Sequence, residues 1–303
     1  MTGDLKPDPS LIGGVSKAPL VHLPTDPQAL FQRRAERFDF LAQHSQNLGP
    51  YLSFLGAICH AQAEVAASLP PLPPLDPEQQ ALAHRAQMPP IDRNRLAPLV
   101  AEALDLLGEK LVEIDMPEAS RLALAAVRSA SADDRDWLIT NTLTDSIPAD
   151  SLAPHLFVAA AAQVQAARMA AQLEPAAFVP IRLGVCPACG GKPLASVVTE
   201  DRGVEGARYA VCACCQTQWN EVRVKCLCCG SAKGLSLRSV EVEDASVKAE
   251  ACTECNHWVK IFYRNINATI EPVADDVGSL GLDLMMKETG LKRGGFNPFL
   301  LGY

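Results

Sequence analysis

The chain is poor in aromatic residues, which make up 5% of it, and its longest apolar run is the short stretch Leu156–Ala162. A helix that spans a bilayer needs roughly 20 such residues, so no membrane insertion is expected. Excess positive charge is also missing: the net charge is −8 and the pI is about 5.3. By segment, residues 1–179 carry −8, residues 180–270 carry +2 and residues 271–303 carry −2. Binding that rests on nucleic-acid phosphate needs a strongly basic patch, and no segment supplies one. Met1 to Gln28 has no basic stretch followed by an apolar core of the kind an export signal carries, which points to the cytoplasm. No Ser/His/acid arrangement, phosphate loop or carboxylate pair demands catalysis, so the chain is read as a non-enzyme.

What is present is enough to fold. The chain has 303 residues, 48% of them hydrophobic and 20% charged, with mean hydropathy +0.06, which excludes disorder throughout and allows about two domains. The first half reads as helices set apart by proline. Thr25-Asp26-Pro27-Gln28 has capping-box form, and Leu30, Phe31, Arg34, Phe38 and Leu41 follow at helical spacing. A second helix runs from Pro50 to Ala67, with Leu52, Leu55, Cys59 and Val65 inward, and ends in the stiff connector Ser68 to Pro74. Further helical patterns cover Arg95 to Ile114, Pro117 to Ala130 (capped by Asp115 with Glu118), Asp134 to Thr144 and the alanine-rich Pro154 to Leu173. After Pro180 the texture changes to β-prone segments, glycine turns and paired cysteines. Asp275 to Thr289 is helical again, capped by Asp275 or Asp276 and stopped by Gly290.

Ten of the eleven cysteines lie between residues 186 and 255 and form four Cys-x-x-Cys pairs: Cys186/Cys189, Cys212/Cys215, Cys226/Cys229 and Cys252/Cys255. Twenty-two residues separate the first pair from the second and the third from the fourth, and the whole unit recurs at a shift of 40. A chain without an export signal uses such pairs for metal rather than for disulfides. Two residues between cysteines let both sulfurs of a turn reach one ion, and 22 residues are the length of a hairpin that returns the second turn opposite the first. Lys192 to Glu200 with Gly206 to Val211, and Gly234 to Glu241 with Val247 to Ala251, read as those hairpins.

Tandem pairing therefore gives two sites of four cysteines each. The exchange Cys212/Cys215 with Cys226/Cys229 across ten residues remains geometrically open. Gly190 and Gly230 directly follow their pairs, where positive φ turns backbone N–H groups toward sulfur; Asn256 tolerates that conformation and Gln216 suits it less. Four thiolates suit zinc or iron equally, each zinc-like ion contributing roughly 10–16 kcal/mol of apparent binding free energy to a region poor in aromatics. Eight thiolates with two divalent ions leave the segment at about −2, so Arg208, Arg223, Lys225, Lys248 and Lys260 read as charges that offset the thiolate field, and no nucleic-acid partner is expected. Cys214 and Cys228 read as spare or buried thiols, Cys59 as a core thiol, and His257 as a donor beside the fourth pair. The other histidines show no ligand spacing.

The fold class expected is α+β multidomain: an all-α domain over 1–179, small β metal modules of zinc-ribbon or rubredoxin-like type over 180–225 and 226–270, and a helical tail over 271–303. The tail, with Leu280, Leu282, Leu284, Met285 and Met286 and then Phe296, Pro298, Phe299, Leu300 and Leu301, should dock back on the body.

These residues resemble a known family. Cys186-Pro187-Ala188-Cys189-Gly190, then Arg208-Tyr209, Cys212, Cys215, Trp219, Arg223, Cys226, Cys229-Gly230, Cys252, Cys255 and Lys260 are similar to the cysteine-bearing part of the formate dehydrogenase accessory protein FdhE family. Val273 to Asp276, Ser279-Leu280, Leu282-Asp283, Gly290, Arg293 and Asn297-Pro298-Phe299 resemble that family's closing signature. The match covers about 186–300. Cys214, Cys228 and Trp258 depart from the pattern. The resemblance implies a cytoplasmic, non-catalytic maturation factor that binds the catalytic subunit of a respiratory formate dehydrogenase before export. It also implies rubredoxin-type iron, favoured over zinc, on Cys186, Cys189, Cys212, Cys215, Cys226, Cys229, Cys252 and Cys255. The rival reading of the same sites is a rubredoxin-like electron carrier.

Overall fold

The computed structural model describes residues 18–181, 183–201, 204–240 and 245–300. The expected hairpin end at Glu241, the tail residue Leu301 and most of the N-terminal stretch read for an export signal lie outside them. A helical N-terminal region is followed by a sheet-rich part, as expected. Among the described residues the order is β1 (Val21–His22), α1 (Pro27–His44), α2 (Gly49–Ser68), α3 (Pro77–Ala86), α4 (Ala97–Leu111), α5 (Glu118–Ser129), α6 (Ala132–Leu143) and α7 (Leu152–Ala170). The sheet strands are β2 (Pro193–Asp201), β3 (Val204–Cys212), β4 (Gln218–Glu221), β5 (Leu235–Arg238), β6 (Val247–Cys252) and β7 (His257–Tyr263), and α8 (Pro272–Gly278), α9 (Leu280–Lys287) and β8 (Lys292–Arg293) close the chain.

Helix starts follow local chemistry, with corrections to the expected caps. Asp26, not Thr25, accepts the Ala29 N–H at the start of α1. Neither Asp115 nor Glu118 caps α5, which begins after Pro117 without a side-chain cap, whereas Ser131 caps α6 through the Asp134 N–H. The unexpected α3 follows the proline connector, capped by Asp76 and ended by Gln87 at φ 52°. It buries no residue, so it left no apolar stripe in the sequence. Alanine-rich α7 is the central helix, and 13 of its 19 residues are buried. Small side chains let neighbouring helices approach it closely, and its buried amides are matched: Gln165 Nε2 donates to Leu99 O at 2.9 Å.

The two hairpins, β2–β3 and β5–β6, form where the cysteine spacing put them. They do not stand apart. Strand β7 runs antiparallel to β6 and parallel to β2, so both cysteine units share one sheet of order β1-β4-β3-β2-β7-β6-β5, with β8 beside β7. Val21 and His22 of the N-terminal segment pair with Trp219 and Gln218 of β4. One apolar core then runs from Phe31, Phe38 and Leu55 through Val164 to Cys186, Val197 and Phe262.

The tail docks on the body, with Phe299 fully buried and its carbonyl accepting from Tyr51 Oη at 2.7 Å. It is two helices rather than one. Lys260 Nζ donates to the carbonyls of Asp276 at 2.6 Å and Ser279 at 3.2 Å, drawing off acceptors that a continuous helix would use. The cap of α8 is Glu271, which accepts the Ala274 N–H, while Asp275 and Asp276 are buried in ion pairs. Arg208 and Lys260, expected to offset thiolates, are matched by carboxylates instead. Arg208 on β3 reaches past β2 and β7 to Glu250 on β6 at 2.9 Å and also bonds Ser196 Oγ on β2, and Lys260 sits against Asp276 and Asp283, both of which also bind Arg293. A buried cation needs a partner within contact distance, which these carboxylates supply.

Arg208 thus bolts the two hairpins together. Arg208→Met strands Glu250 in the core and is expected to lower stability by about 3–5 kcal/mol in urea unfolding, while Arg208→Met/Glu250→Leu recovers most of the loss. A loss below about 1 kcal/mol for the single variant would contradict this role.

Candidate metal centres

Each cluster is built from two turns that the hairpin brings face to face. Cys186 and Cys189 lie in a turn closed by Cys186 N–H to Gly191 O at 2.9 Å and Gly190 N–H to Cys186 O at 2.8 Å. Cys226 and Cys229 repeat it, with Cys226 N–H to Ser231 O at 2.8 Å and Gly230 N–H to Cys226 O at 2.9 Å. All four residues after the pairs take positive φ: Gly190 72°, Gln216 65°, Gly230 75° and Asn256 57°. Gln216, the residue least suited to it, is held there by its own side chain, whose Nε2 donates to Ala213 O at 3.1 Å and whose Oε1 accepts from Arg34 Nη2 at 2.8 Å. The turn also aims backbone donors at sulfur: the Cys214 and Cys215 N–H groups point to Cys212 Sγ at 3.3 and 3.4 Å, and the Cys228 N–H to Cys226 Sγ at 3.4 Å.

The sulfurs group as Cys186, Cys189, Cys212 and Cys215, and as Cys226, Cys229, Cys252 and Cys255, with the ligand atoms of each group within 4.8 Å of one another. The tandem partnering therefore holds over the exchanged one. Closest sulfur contacts are 3.5 and 3.6 Å in the first group and 3.8 Å in both contacts of the second. A tetrahedron with metal–sulfur bonds near 2.3 Å has edges of about 3.8 Å, so each group could hold one ion, two in all. Their electrostatics agree. Burial pushes the Cys186, Cys212 and Cys215 thiols up, while hydrogen bonds from Cys186, Cys212, Cys214 and Cys215 hold Cys189 down. Four buried thiolates cannot coexist without a compensating cation.

The two clusters differ in cover. All four sulfurs of the first are buried, and helical-region residues lie over them: the Ile91 N–H donates to Ala188 O at 3.0 Å, and Pro89 Cγ lies 3.3 Å from where a Cβ on Gly190 would fall. At Gly191 a side chain would crowd the cluster itself, since a Cβ there would meet Cys212 Sγ at 3.2 Å and Cys189 Sγ at 3.3 Å. In the second cluster Cys229 is exposed and Cys255 half-buried. His257 Nδ1 bonds the Cys255 carbonyl at 2.6 Å, and its backbone N–H hydrogen-bonds the Cys255 thiol, so it is a donor beside the fourth pair, as expected.

The extra thiols fall outside both groups. Burial pushes Cys228 up to about 12, so it stays protonated, and it packs against Gly294. Cys214 is pushed up by hydrogen bonding to Cys189 and by burial, and Cys59 by burial in the helical core. Neither cluster includes a histidine among the described residues.

Sequence reasoning missed the groups that anchor the first cluster. Arg34, fully buried, donates to Gln216 Oε1, to Gln163 Oε1 at 3.3 Å and to Glu271 Oε1 at 3.0 Å, and Gln163 Nε2 in turn donates to Ala213 O at 2.9 Å between the cysteines. Arg93, held by Asp145 at 2.7 and 2.8 Å, is the cation whose field is coupled to Cys214 and Cys189. The signal for Arg34 was in the sequence, as an arginine on the Phe31/Phe38 stripe. No pattern marked Arg93.

Comparison with known proteins gives a consistent answer. The family model "FdhE, N-terminal" matches residues 18–182, "FdhE, central domain" residues 185–223 and "FdhE, C-terminal domain" residues 224–300. The chain is 52% identical over 303 residues to the FdhE homolog of Rhizobium meliloti, covering 99% of this chain and 98% of that one. It is 35% identical over 276 residues to the FdhE homolog of Cronobacter sakazakii, covering 89% and 88%. The crystal structure of the FdhE protein from Pseudomonas aeruginosa superimposes with a TM-score of 0.82 at 32% identity, over 94% of this chain and 99% of that one.

The difference in cover predicts two-phase metal release. In a chromophoric chelator one equivalent should leave about tenfold faster than the other, and Cys226→Ser/Cys229→Ser should abolish the fast phase. Cys214→Ala and Cys228→Ala should each retain two equivalents. Single-phase release of both metals would contradict the assignment of the open site to Cys226–Cys255.

Proposed function

The chain belongs to the FdhE family, and from that premise we propose that it is a non-catalytic assembly factor that works in the cytoplasm on the catalytic subunit of a respiratory formate dehydrogenase before export. The observation that supports this reading is one chain carrying a family match along nearly its whole length and two cysteine quartets at tetrahedral spacing. No helix among the described residues is long and apolar enough to cross a membrane.

On this reading Cys186, Cys189, Cys212 and Cys215 hold one ion and Cys226, Cys229, Cys252 and Cys255 the other, iron of rubredoxin type before zinc. Bound iron supplies a one-electron couple, and either metal ties together the two turns at the base of its own hairpin. The chain's own contribution at the first quartet is to exclude water and fix the turns through Gln216 and Gly191. At the second it leaves the Cys229 edge at the surface. That exposed edge is also what favours the rival, a rubredoxin-like electron carrier, since electron exchange needs an open side.

Affinity capture of the tagged protein from anaerobic, formate-respiring cells separates the two. Wild type should bring down a formate dehydrogenase catalytic subunit, and Cys186→Ser/Cys189→Ser should lose it. Capture of a flavin reductase with no formate dehydrogenase subunit would overturn the assembly reading in favour of the carrier.

A further inference from the structure

A cleft of about 620 Å³ opens between α1, the β3–β4 edge and the segment from Arg264 to Pro272. Its apolar side is formed by Leu30, Phe40 and Ala268, and Phe40 is 49% exposed. Its charged lining is Arg33, Arg37, Arg264, Glu36 and Glu271. Most of this charge is already matched. Arg37 makes a two-pronged contact with Asp275 at 2.9 and 2.6 Å and donates to Thr269 Oγ1 at 2.9 Å. Glu271 is taken by Arg34 and by the Ala274 N–H. Glu36, at the rim, accepts from Gln32 Nε2 at 3.0 Å.

Two guanidinium groups are left over. Arg264 spends its Nε on Ile270 O at 3.0 Å, and its two terminal nitrogens have no hydrogen-bond partner among the described residues. Burial depresses its pKa against the pull of Glu271 and Asp275, the mark of a cation incompletely compensated where it sits. Arg33, exposed one turn of α1 away from Arg37, has no partner among the described residues either. A fork of paired N–H donors matches a carboxylate, and a partly desolvated site makes that contact stronger than at an open surface.

We propose that this cleft receives an acidic peptide segment of a protein partner, a side-chain carboxylate engaging Arg264 and Arg33 while neighbouring apolar side chains rest on Leu30 and Phe40. A small free anion would satisfy the arginines but leave the apolar wall and most of the cleft uncovered. A peptide alternating the two chemistries covers both. The proposal concerns the class of ligand. It does not depend on the partner being a formate dehydrogenase, and synthetic peptides test it without that protein.

The test is fluorescence anisotropy of the full chain with a labelled heptapeptide of alternating leucine and glutamate, against the same peptide with glutamine. The glutamate peptide should bind at least about tenfold tighter. Arg264→Gln and Arg33→Glu should each weaken it about tenfold, and Arg85→Glu, an exposed arginine outside the cleft, should not. Should Arg264→Gln fail to fold, the exposed Arg33→Glu carries the test alone. Equal affinity for the two peptides, full binding by Arg33→Glu, or equal weakening by Arg85→Glu would overturn the proposal. Displacement of the peptide by succinate at equal concentration would overturn it as well, making the cleft a small-anion site.

Discussion

One guanidinium that must be matched inside a dry core holds the molecule's parts in register. Arg34 stands on the apolar face of α1, with its charge 5.3 Å from the Phe31 ring centre, and water does not reach it. An unpaired charge there is prohibitively costly, so its donors have to find acceptors. They find Gln163 on α7, Gln216 at the turn of the first cysteine quartet and Glu271 at the start of α8. Those acceptors come from the helical body, the metal turn and the tail, so the three can reach the native arrangement only together. Gln216 gains a conformation that glutamine does not favour, and the turn of the first cluster gains its anchor in the helical body, from the same contact.

The same device recurs at the other joints. Arg208 with Glu250 joins the two hairpins across the sheet, and Lys260 with Asp276, Asp283 and Arg293 joins the sheet to the tail. The surrounding core is built of alanine, valine and leucine, side chains that pack densely but select weakly among alternative arrangements. Where few aromatic side chains are available to interlock, buried ion pairs at the joints impose geometry that apolar packing alone leaves loose, a role attested for buried polar groups in some proteins. The clusters differ in cover, one enclosed with the helical region over it and one with Cys229 at the surface.

Local features were legible in the sequence because they repeat or punctuate. Cysteine spacing gave the two quartets and their hairpins, helical spacing gave α7, and proline and glycine marked most element ends. The unread features depend on what lies across space. Helix α3 buries nothing and so has no stripe to detect, the tail breaks at Ser279 because Lys260 arrives from β7, and the parallel pairing of β2 with β7 merges hairpins that look separate along the chain. Arg208 and Lys260 were assigned to the thiolate field because charge balance is blind to distance. Their carboxylates lie on other strands and helices.

The central claim is that the helical body and the first cysteine quartet form one cooperative unit through Arg34, Gln163 and Gln216. Hydrogen exchange read by mass spectrometry, on the anaerobically purified protein before and after complete metal removal, tests it directly. The account predicts that stripping the metal lowers protection in α1 and α7 as well as in residues 186–216. Loss of protection confined to residues 186–216 and 226–256, with α1 and α7 unchanged, would contradict it.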